Sequence, residues 1–267
     1  MLFSCFALGE ISCLSSFTYF RMQVMSLSRI KTLCFIALSG LCSFVSAEEG
    51  ELRELLKQHV SALGGAYQLE HLSAIYLEGT QMQAGQSFEF VIRKKKPNSI
   101  RYALSGEAFE AVAGYDGQTG WLRLQKAEDV TISNLEGVDL QALIQEGRFD
   151  SRLFEAYQGE LDSLVYVGVE RIYDHKCDVI EYLESGLVRL RYYLDQDSFL
   201  LRKRELLDDD GAVTLATVYD NYDVVDGYKI AHRFDNLING EIVSTQLVDK
   251  VIVNPGILSF YFEKPRR

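Results

Sequence analysis

The sequence predicts an α+β protein that is mainly β: an unclosed, strongly curved antiparallel half-barrel of about 11–12 strands, with short helices plugging its concave face. Segments of alternating apolar and polar residues fill most of the chain, and turns that pair Asp or Asn with Gly separate several of them. Helical periodicity occurs in only about three short stretches. A dozen strands spaced about 4.8 Å apart make a sheet more than about 50 Å wide, which must curl or split.

The helices decide between curling and splitting. One helix covers about 10 Å of width, so three short helices cannot cover so wide an apolar face unless the sheet wraps around them. A sandwich of two sheets is the competing architecture. The helical segment 138–158 interrupts the strands where a cover would be needed, and it therefore favours the plugged half-barrel.

Residues 25–47 have the features of a secretory signal peptide. Arg29 and Lys31 form a basic start, and the apolar run that follows ends at Phe44. That run is too short to span a bilayer, which needs about 20 residues. Val45 and Ala47 place small residues at the two positions that a signal peptidase reads.

We therefore expect cleavage near Ala47 and export to the periplasm. Met25 is then the expected translation start, and residues 1–24 an upstream extension. A short membrane anchor is the alternative that the same stretch leaves open. Residues 48–267 are expected to form a single domain.

The composition of residues 48–267 excludes several classes of protein. These residues hold 24 Lys and Arg against 37 Asp and Glu, a formal net charge of −13, so neither nucleic acid nor an anionic membrane surface is an expected partner. Of the five cysteines only Cys177 lies in this region, so it can form neither an intramolecular disulfide nor a cysteine-based metal cluster. The hydrophobic core must stabilise the domain.

The predicted elements begin with a helix and continue mainly as strands. Leucines and a valine from Leu52 to Leu63 have helical spacing, and Gly64-Gly65 ends the helix. The strands predicted before the helical segment are 72–82, 87–95, 99–104, 109–115 and 120–124. Those predicted after it are 164–173, 177–184, 188–194, 199–207, 213–222, 228–236, 242–254 and 259–263.

Alternation assigns a set of apolar side chains to one face of the sheet, which we take as the lining of an acyl or lipid-binding cavity. The expected lining residues are Phe88, Phe90, Ile92, Ile100, Tyr102, Leu104, Trp121, Val188, Leu190 and Tyr192. The helical segment supplies the expected lid residues Leu140, Leu143, Ile144, Leu153, Phe154 and Tyr157. An ordinary filled core is the alternative for any one of these positions.

The residues that catalysis or metal binding would need are sparse. His59, His71, His175 and His232 lack metal-ligand spacing, and the chain has neither a nucleophile elbow nor a phosphate-binding glycine loop. Cys177 follows His175 closely, which hints at an activated thiol, but it opens an apolar strand and is expected to be buried. We predict no catalytic residue, metal or cofactor.

Several segments together resemble the outer-membrane lipoprotein-sorting family, the LolA-like periplasmic carriers. The passage from Leu63-Gly64-Gly65 to Glu78-Gly79 is similar to the family's helix and first strand. The other similar segments are Lys95-Lys96-Pro97-Asn98 with Ile100-Arg101-Tyr102, the hairpin Tyr115-Asp116-Gly117-Gln118-Thr119-Gly120-Trp121, Tyr192–Asp195, Leu200–Lys203 and Phe260–Pro265.

This resemblance implies an unclosed barrel with a helical lid that shields the acyl chains of lipoproteins during transfer towards the outer membrane. Implied partners are an acylated lipoprotein or a lipid-like ligand, an inner-membrane release complex and an outer-membrane acceptor, and the carrier itself is expected to be a monomer. The family's lid–barrel tie is an Arg before the Pro. Here Lys96 takes that place, without the bidentate geometry of Arg.

Two other functions remain open at this stage. An interaction or structural domain of the envelope predicts a filled core and one flat exposed apolar patch. A secreted hydrolase predicts His175 or His232 beside a carboxylate in a cleft.

Overall fold

The structure is a computed structural model that describes residues 41–107, 109–148, 152–159, 161–184, 188–208 and 210–266, without the side chains of residues 41–48, 138, 184 and 188. The predicted upstream extension and signal peptide lie outside these residues, apart from the backbone of 41–47, which is helical. Among the described residues, no helix is both long and apolar enough to cross a membrane.

Four helices and thirteen strands make up the described chain. The first half contains α1 (Leu41–Ala62), α2 (Ala66–His71), β1 (Ala74–Gln83), β2 (Gln86–Lys95), β3 (Ser99–Ser105), β4 (Phe109–Tyr115), β5 (Gly120–Lys126) and β6 (Asp129–Asn134). The second contains α3 (Gly137–Gly147), α4 (Arg152–Gln158), β7 (Leu164–Ile172), β8 (His175–Glu184), β9 (Val188–Asp195), β10 (Leu201–Leu207), β11 (Val213–Val225), β12 (Tyr228–Ile238) and β13 (Glu241–Val253).

All thirteen strands form one antiparallel sheet in the order β6-β5-β4-β3-β2-β1-β13-β12-β11-β10-β9-β8-β7. Each half of the chain is a simple meander, and the pairing of β1 with β13 joins the two halves. The terminal strands β6 and β7 do not pair with each other, so the described sheet is unclosed. The helices α3 and α4 connect these two edge strands and pack on the concave face.

Two hydrophobic clusters lie on the concave side. The first lies under α3, where Leu143 packs with residues of β1–β5 such as Phe90 and Ile100. The second lies under α1 and α4, where Leu56 and Leu153 pack with residues of β8 and β9. Each half-sheet therefore has its own helical cover, and the space between the two covers lies at the middle of the sheet.

The observed elements differ from the predicted ones in three places. Residues Ser259–Phe262 form a 3₁₀ helix where the strand 259–263 was predicted, and the carbonyl oxygen of Phe262 accepts a hydrogen bond from Nε1 of Trp121 on β5 rather than from a neighbouring strand's backbone. Strand β6 was not predicted because its side chains are mostly exposed and polar, as at an edge. The short helix α2 was not predicted either, since six residues carry too little periodicity.

Gly79 lies at the seam between the two halves. The register of β1 against β13 shifts between Glu78 and Gly79, and a Cβ atom at Gly79 would lie 2.0 Å from the carbonyl oxygen of Leu247. This close approach of two backbones leaves no room for any side chain.

We expect Gly79→Ala to lower the free energy of unfolding by about 1–3 kcal/mol, because backbone atoms rather than a flexible side chain must move. Urea denaturation of the purified protein measures this change. Gly256→Ala is the matched control, since a Cβ there meets nothing within 4 Å. Equal stabilities of the two variants would contradict the role given to Gly79.

Candidate functional site

A cavity of about 380 Å³ remains between the concave face and the helices. Side chains from both half-sheets and from α3 line it, so the cavity spans the seam. Its apolar and aromatic lining is Leu77, Ile92, Ile100, Tyr102, Ala142, Leu143, Leu190, Tyr192, Leu201, Leu206, Leu215, Tyr219 and Phe234. The concave face is therefore only partly filled by the protein's own side chains.

An uncharged polar network forms one part of the wall, next to the seam. The Tyr102 hydroxyl donates to Oε1 of Gln81 at 2.5 Å, and Nε2 of Gln246 donates to the same oxygen at 2.9 Å. Further along, Nδ2 of Asn236 donates to Oγ of Ser244 at 3.2 Å. These polar groups satisfy one another within the wall, so their burial costs little.

A charged cluster fastens α3 to both half-sheets. Oε1 of Glu146, on α3, lies 2.7 Å from Nζ of Lys94 on β2, and its Oε2 lies 3.2 Å from Nη2 of Arg204 on β10. Lys94 and Arg204 belong to opposite halves of the sheet, and all three residues line the cavity. We call this cluster (Lys94, Glu146, Arg204) the latch.

The latch keeps Glu146 ionised. Burial opposes the carboxylate charge, but the positive charges of Lys94 and Arg204 outweigh it and lower the pKa of Glu146 to about 2. Its side chain is 46 % exposed, so solvent reaches the latch. At neutral pH the contact between α3 and the sheet is thus an ion pair between the Glu146 carboxylate and the two cations.

Acidification is expected to release the latch only far below neutral pH. A carboxyl whose folded-state pKa is depressed stabilises the fold fully above about pH 4.5 and loses that contribution as pH falls towards about 2. The carboxyl carbon shift of Glu146, followed by NMR and assigned with Glu146→Gln, is expected to titrate well below pH 4.5. In the Lys94→Gln variant the midpoint should rise, and an unchanged midpoint would contradict the assigned cause.

The structure brings half of the predicted lining residues together. Ile92, Ile100, Tyr102, Leu190 and Tyr192 line the cavity. Phe88, Phe90 and Leu104 lie on the same face but are buried in the cluster under α3. The side chain of Val188 is outside the described residues.

Trp121 requires a correction. It was predicted to line the cavity. In the sheet, however, Trp121 lies opposite Gly114, and Gly114 lies opposite Arg101, so Trp121 is on the convex face with Arg101. Its indole is fully buried there, and Nε1 donates to the carbonyl oxygen of Phe262 at 2.8 Å. The alternation of β5 puts Leu122, not Trp121, on the concave side.

The predicted lid residues lie on α3 and α4. Leu140, Leu143 and Ile144 of α3 pack on the first half-sheet, and Leu153 and Tyr157 of α4 pack on the second. Phe154 is buried and stacks on Tyr157, with 6.1 Å between ring centroids. The contact between α3 and the sheet is close, since a Cβ at Gly147 would lie 2.8 Å from Cγ2 of Ile100.

Lys96, the predicted tie between lid and barrel, makes hydrogen bonds to α2. Its Nζ donates to the carbonyl oxygens of Leu69 and Glu70 on α2, both at 3.2 Å. Lys94, on β2, contacts Glu146 of α3. Sequence reasoning missed Lys94, Glu146 and Arg204, although Arg204 shares a strand face with the apolar Leu206, which was an available signal.

The histidines and the cysteine form no nucleophilic centre among the described residues. His175 lies 2.6 Å from Oδ2 of Asp195, but Asp195 also accepts from the backbone and hydroxyl of Ser198, as a turn cap does. Neither residue lines the cavity. Cys177 is buried, and burial raises the pKa of its thiol to about 11, so a thiolate is disfavoured.

Metal ligands do not converge in the part of the chain that the structure describes, where no group of three or more His, Cys, Asp and Glu could hold a metal ion. The residues that line the cavity offer apolar contact, hydrogen bonding at the polar wall and ionic contact at the latch.

No protein-family model matches the chain, and no curated protein matches it. Among solved structures, a DUF1329 family protein from Desulfovibrio piger aligns with a TM-score of 0.51 and 13 % identity over 81 % of this chain and 97 % of its own. A putative outer membrane lipoprotein-sorting protein domain from Vibrio parahaemolyticus aligns at 0.44 and 15 % identity over 81 % and 97 %. A LolA superfamily protein from Nitrosomonas europaea aligns at 0.42 and 13 % over 72 % and 90 %.

The Desulfovibrio protein and this chain share a fold. With the observed strand order and helices, this confirms the predicted fold: an unclosed, curved antiparallel sheet with short helices on its concave face.

Proposed function

We propose that the protein is a non-enzymatic periplasmic carrier that shields the acyl chains of lipoproteins, or of a related lipid-like cargo, during transfer towards the outer membrane. The observation that carries this proposal is the cavity of about 380 Å³ left between the concave face and the helices. Its walls are largely aliphatic and aromatic. A filled core, as an interaction or structural domain would have, does not leave such a space.

The energetics suit a reversible carrier. Each methylene removed from water contributes about 0.8 kcal/mol, so a long chain gains on the order of 10 kcal/mol before other costs. Part of this gain is offset by separating α3 from the sheet and breaking the latch. Because the offset is built into the protein, cargo is held without being trapped.

The size of the cavity restricts the cargo. Ligand cavities in proteins range from about 300 to 1,000 Å³, and this one lies near the lower end of that range. In the described conformation it suits one acyl chain at a time. Cargo with several chains requires α3 and α4 to move apart.

The proposal includes cleavage of the signal peptide near Ala47, action as a monomer, and exchange of cargo with an inner-membrane release complex and an outer-membrane acceptor. The sequence resemblance supports these points. The latch also supports exchange, since one carboxylate on α3 makes the ionic contacts with both half-sheets.

Purification of the exported protein from a periplasmic extract, followed by extraction and mass spectrometry, tests the proposal. We expect acylated peptide or lipid in a near-stoichiometric amount. A second test is displacement of a fluorescent apolar probe by acylated peptides. Trp121 is unsuitable as the reporter because it lies on the convex face. A protein that carries no lipid and binds no probe would contradict the proposal.

A further inference from the structure

The charged residues around the cavity are predominantly positive. Of the described residues that line it, Lys94, Arg148, Arg152 and Arg204 carry positive charges and Glu146 carries a negative one. Glu155 lies close by, 2.7 Å from Arg152 and 3.6 Å from Arg148. In a chain with a net charge of −11, a cation-rich lining differs in sign from the molecule as a whole.

Lys94 and Arg204 share a single carboxylate. Their side chains are only 17 % and 24 % exposed, and Glu146 is the carboxylate that both contact, at 2.7 and 3.2 Å. Partly buried cations require anionic partners, and two cations around one carboxylate leave an excess positive charge at the cavity wall. The aliphatic side chains of Ile92 and Leu206 belong to the same two strands and line the same cavity.

We propose that the cavity takes a single-chain amphiphile with an anionic head group, a carboxylate or a phosphate, which binds between Lys94 and Arg204 while its chain lies along the apolar wall. This rests on the proposed carrier function and names its ligand class. The head group replaces Glu146 as the partner of the two cations. Binding therefore breaks the ion pairs that link α3 to the two half-sheets, while its apolar packing on the first half-sheet remains.

This exchange gives the latch a second role. Neutral amphiphiles bury the same hydrocarbon but leave the ion pairs of Glu146 intact, so they gain nothing at the latch. Cationic amphiphiles meet repulsion from Lys94 and Arg204. Selectivity then follows the charge of the head group and not the length of the chain.

Four ligands with the same chain test the proposal: dodecanoate, dodecyl phosphate, dodecanol and dodecyltrimethylammonium. Each is used below its solubility limit and, where it forms micelles, below its micellar concentration, and its binding is measured by displacement of a fluorescent apolar probe. We expect the two anions to bind about tenfold more tightly than dodecanol, because one charge-assisted hydrogen bond contributes a factor of about ten to affinity. Acetate and inorganic phosphate carry the same head-group charge without a hydrocarbon chain, and they should not displace the probe. Displacement by these ions alone would make the site a simple anion site and overturn the proposal.

Two variants with opposite expected effects sharpen the test. Arg204→Gln should lower dodecanoate affinity about tenfold and leave dodecanol affinity nearly unchanged. Glu146→Gln should raise dodecanoate affinity several-fold, because the competing carboxylate is removed. Lys250→Gln is the matched control, because Lys250 pairs with Glu78 outside the cavity.

Different results would contradict this proposal and the carrier function. Equal affinities for all four dodecyl ligands, or a loss of dodecanoate affinity in Glu146→Gln, would overturn the anionic head group and leave the carrier intact. Binding of none of the ligands would overturn both.

Discussion

Leu215→Trp is expected to reduce the affinity for acyl chains about fiftyfold. Leu215 lines the cavity on β11, and its side chain is only partly buried, so a larger side chain can extend into the free space. If the indole displaces three methylenes of the ligand, about 2.4 kcal/mol of apolar burial is lost, which corresponds to this factor. Displacement of a fluorescent apolar probe by an acylated peptide measures the change.

The stability of this variant distinguishes blocking from unfolding. Because the indole occupies existing space, the free energy of unfolding should change by less than about 1.5 kcal/mol. Val224→Trp is the matched control, since Val224 lies on the same strand and is 58 % exposed. Addition of Leu206→Trp should weaken binding further, because Leu206 pairs with Leu215 across the two strands. Unchanged affinity in the double variant would contradict the cavity as the binding site.

The sequence predicts the faces of the strands better than it predicts what covers them. Ile100 and Tyr102 alternate with Arg101, so the sheet geometry places the first two on the concave face, where they line the cavity. The same rule, applied to β5, puts Trp121 with Arg123 and opposite Leu122. An aromatic ring on the convex face must be shielded from water by another part of the chain. The segment 255–263, which was predicted in part as a strand, shields it.

Long-range ionic contacts could not be predicted from alternation. Arg204 shares a face with Leu206, which signals a charge on the concave side, but its partner Glu146 is 58 residues away on a helix. The partner depends on how α3 lies across the sheet. Lys94 lies on β2, and the position of α3 across the sheet brings Glu146 within 2.7 Å of it.

The C-terminal segment is fastened to the convex face by contacts that centre on Trp121. The indole lies against Gly114, where a Cβ would be 2.3 Å from the ring, and the guanidinium of Arg101 lies 5.7 Å from its centroid. Arg101 also donates to the carbonyl oxygen of Tyr261 at 3.2 Å, and Lys264 donates to Asn134 at 2.6 Å. Phe262, within this segment, is buried.

Trp121→Ala is expected to lower the free energy of unfolding by about 3–5 kcal/mol, since it removes a fully buried ring and leaves a cavity under the C-terminal segment. Trp121→Phe keeps an aromatic ring but loses the hydrogen bond to Phe262, so its cost should be nearer about 1 kcal/mol. Urea denaturation followed by circular dichroism measures both, because neither variant retains the native tryptophan. Acyl-chain affinity should be the same in Trp121→Phe as in the parent protein, because the ring lies on the face opposite the cavity. A loss of acyl-chain affinity in a stably folded Trp121→Phe variant would contradict the placement of Trp121 outside the binding site.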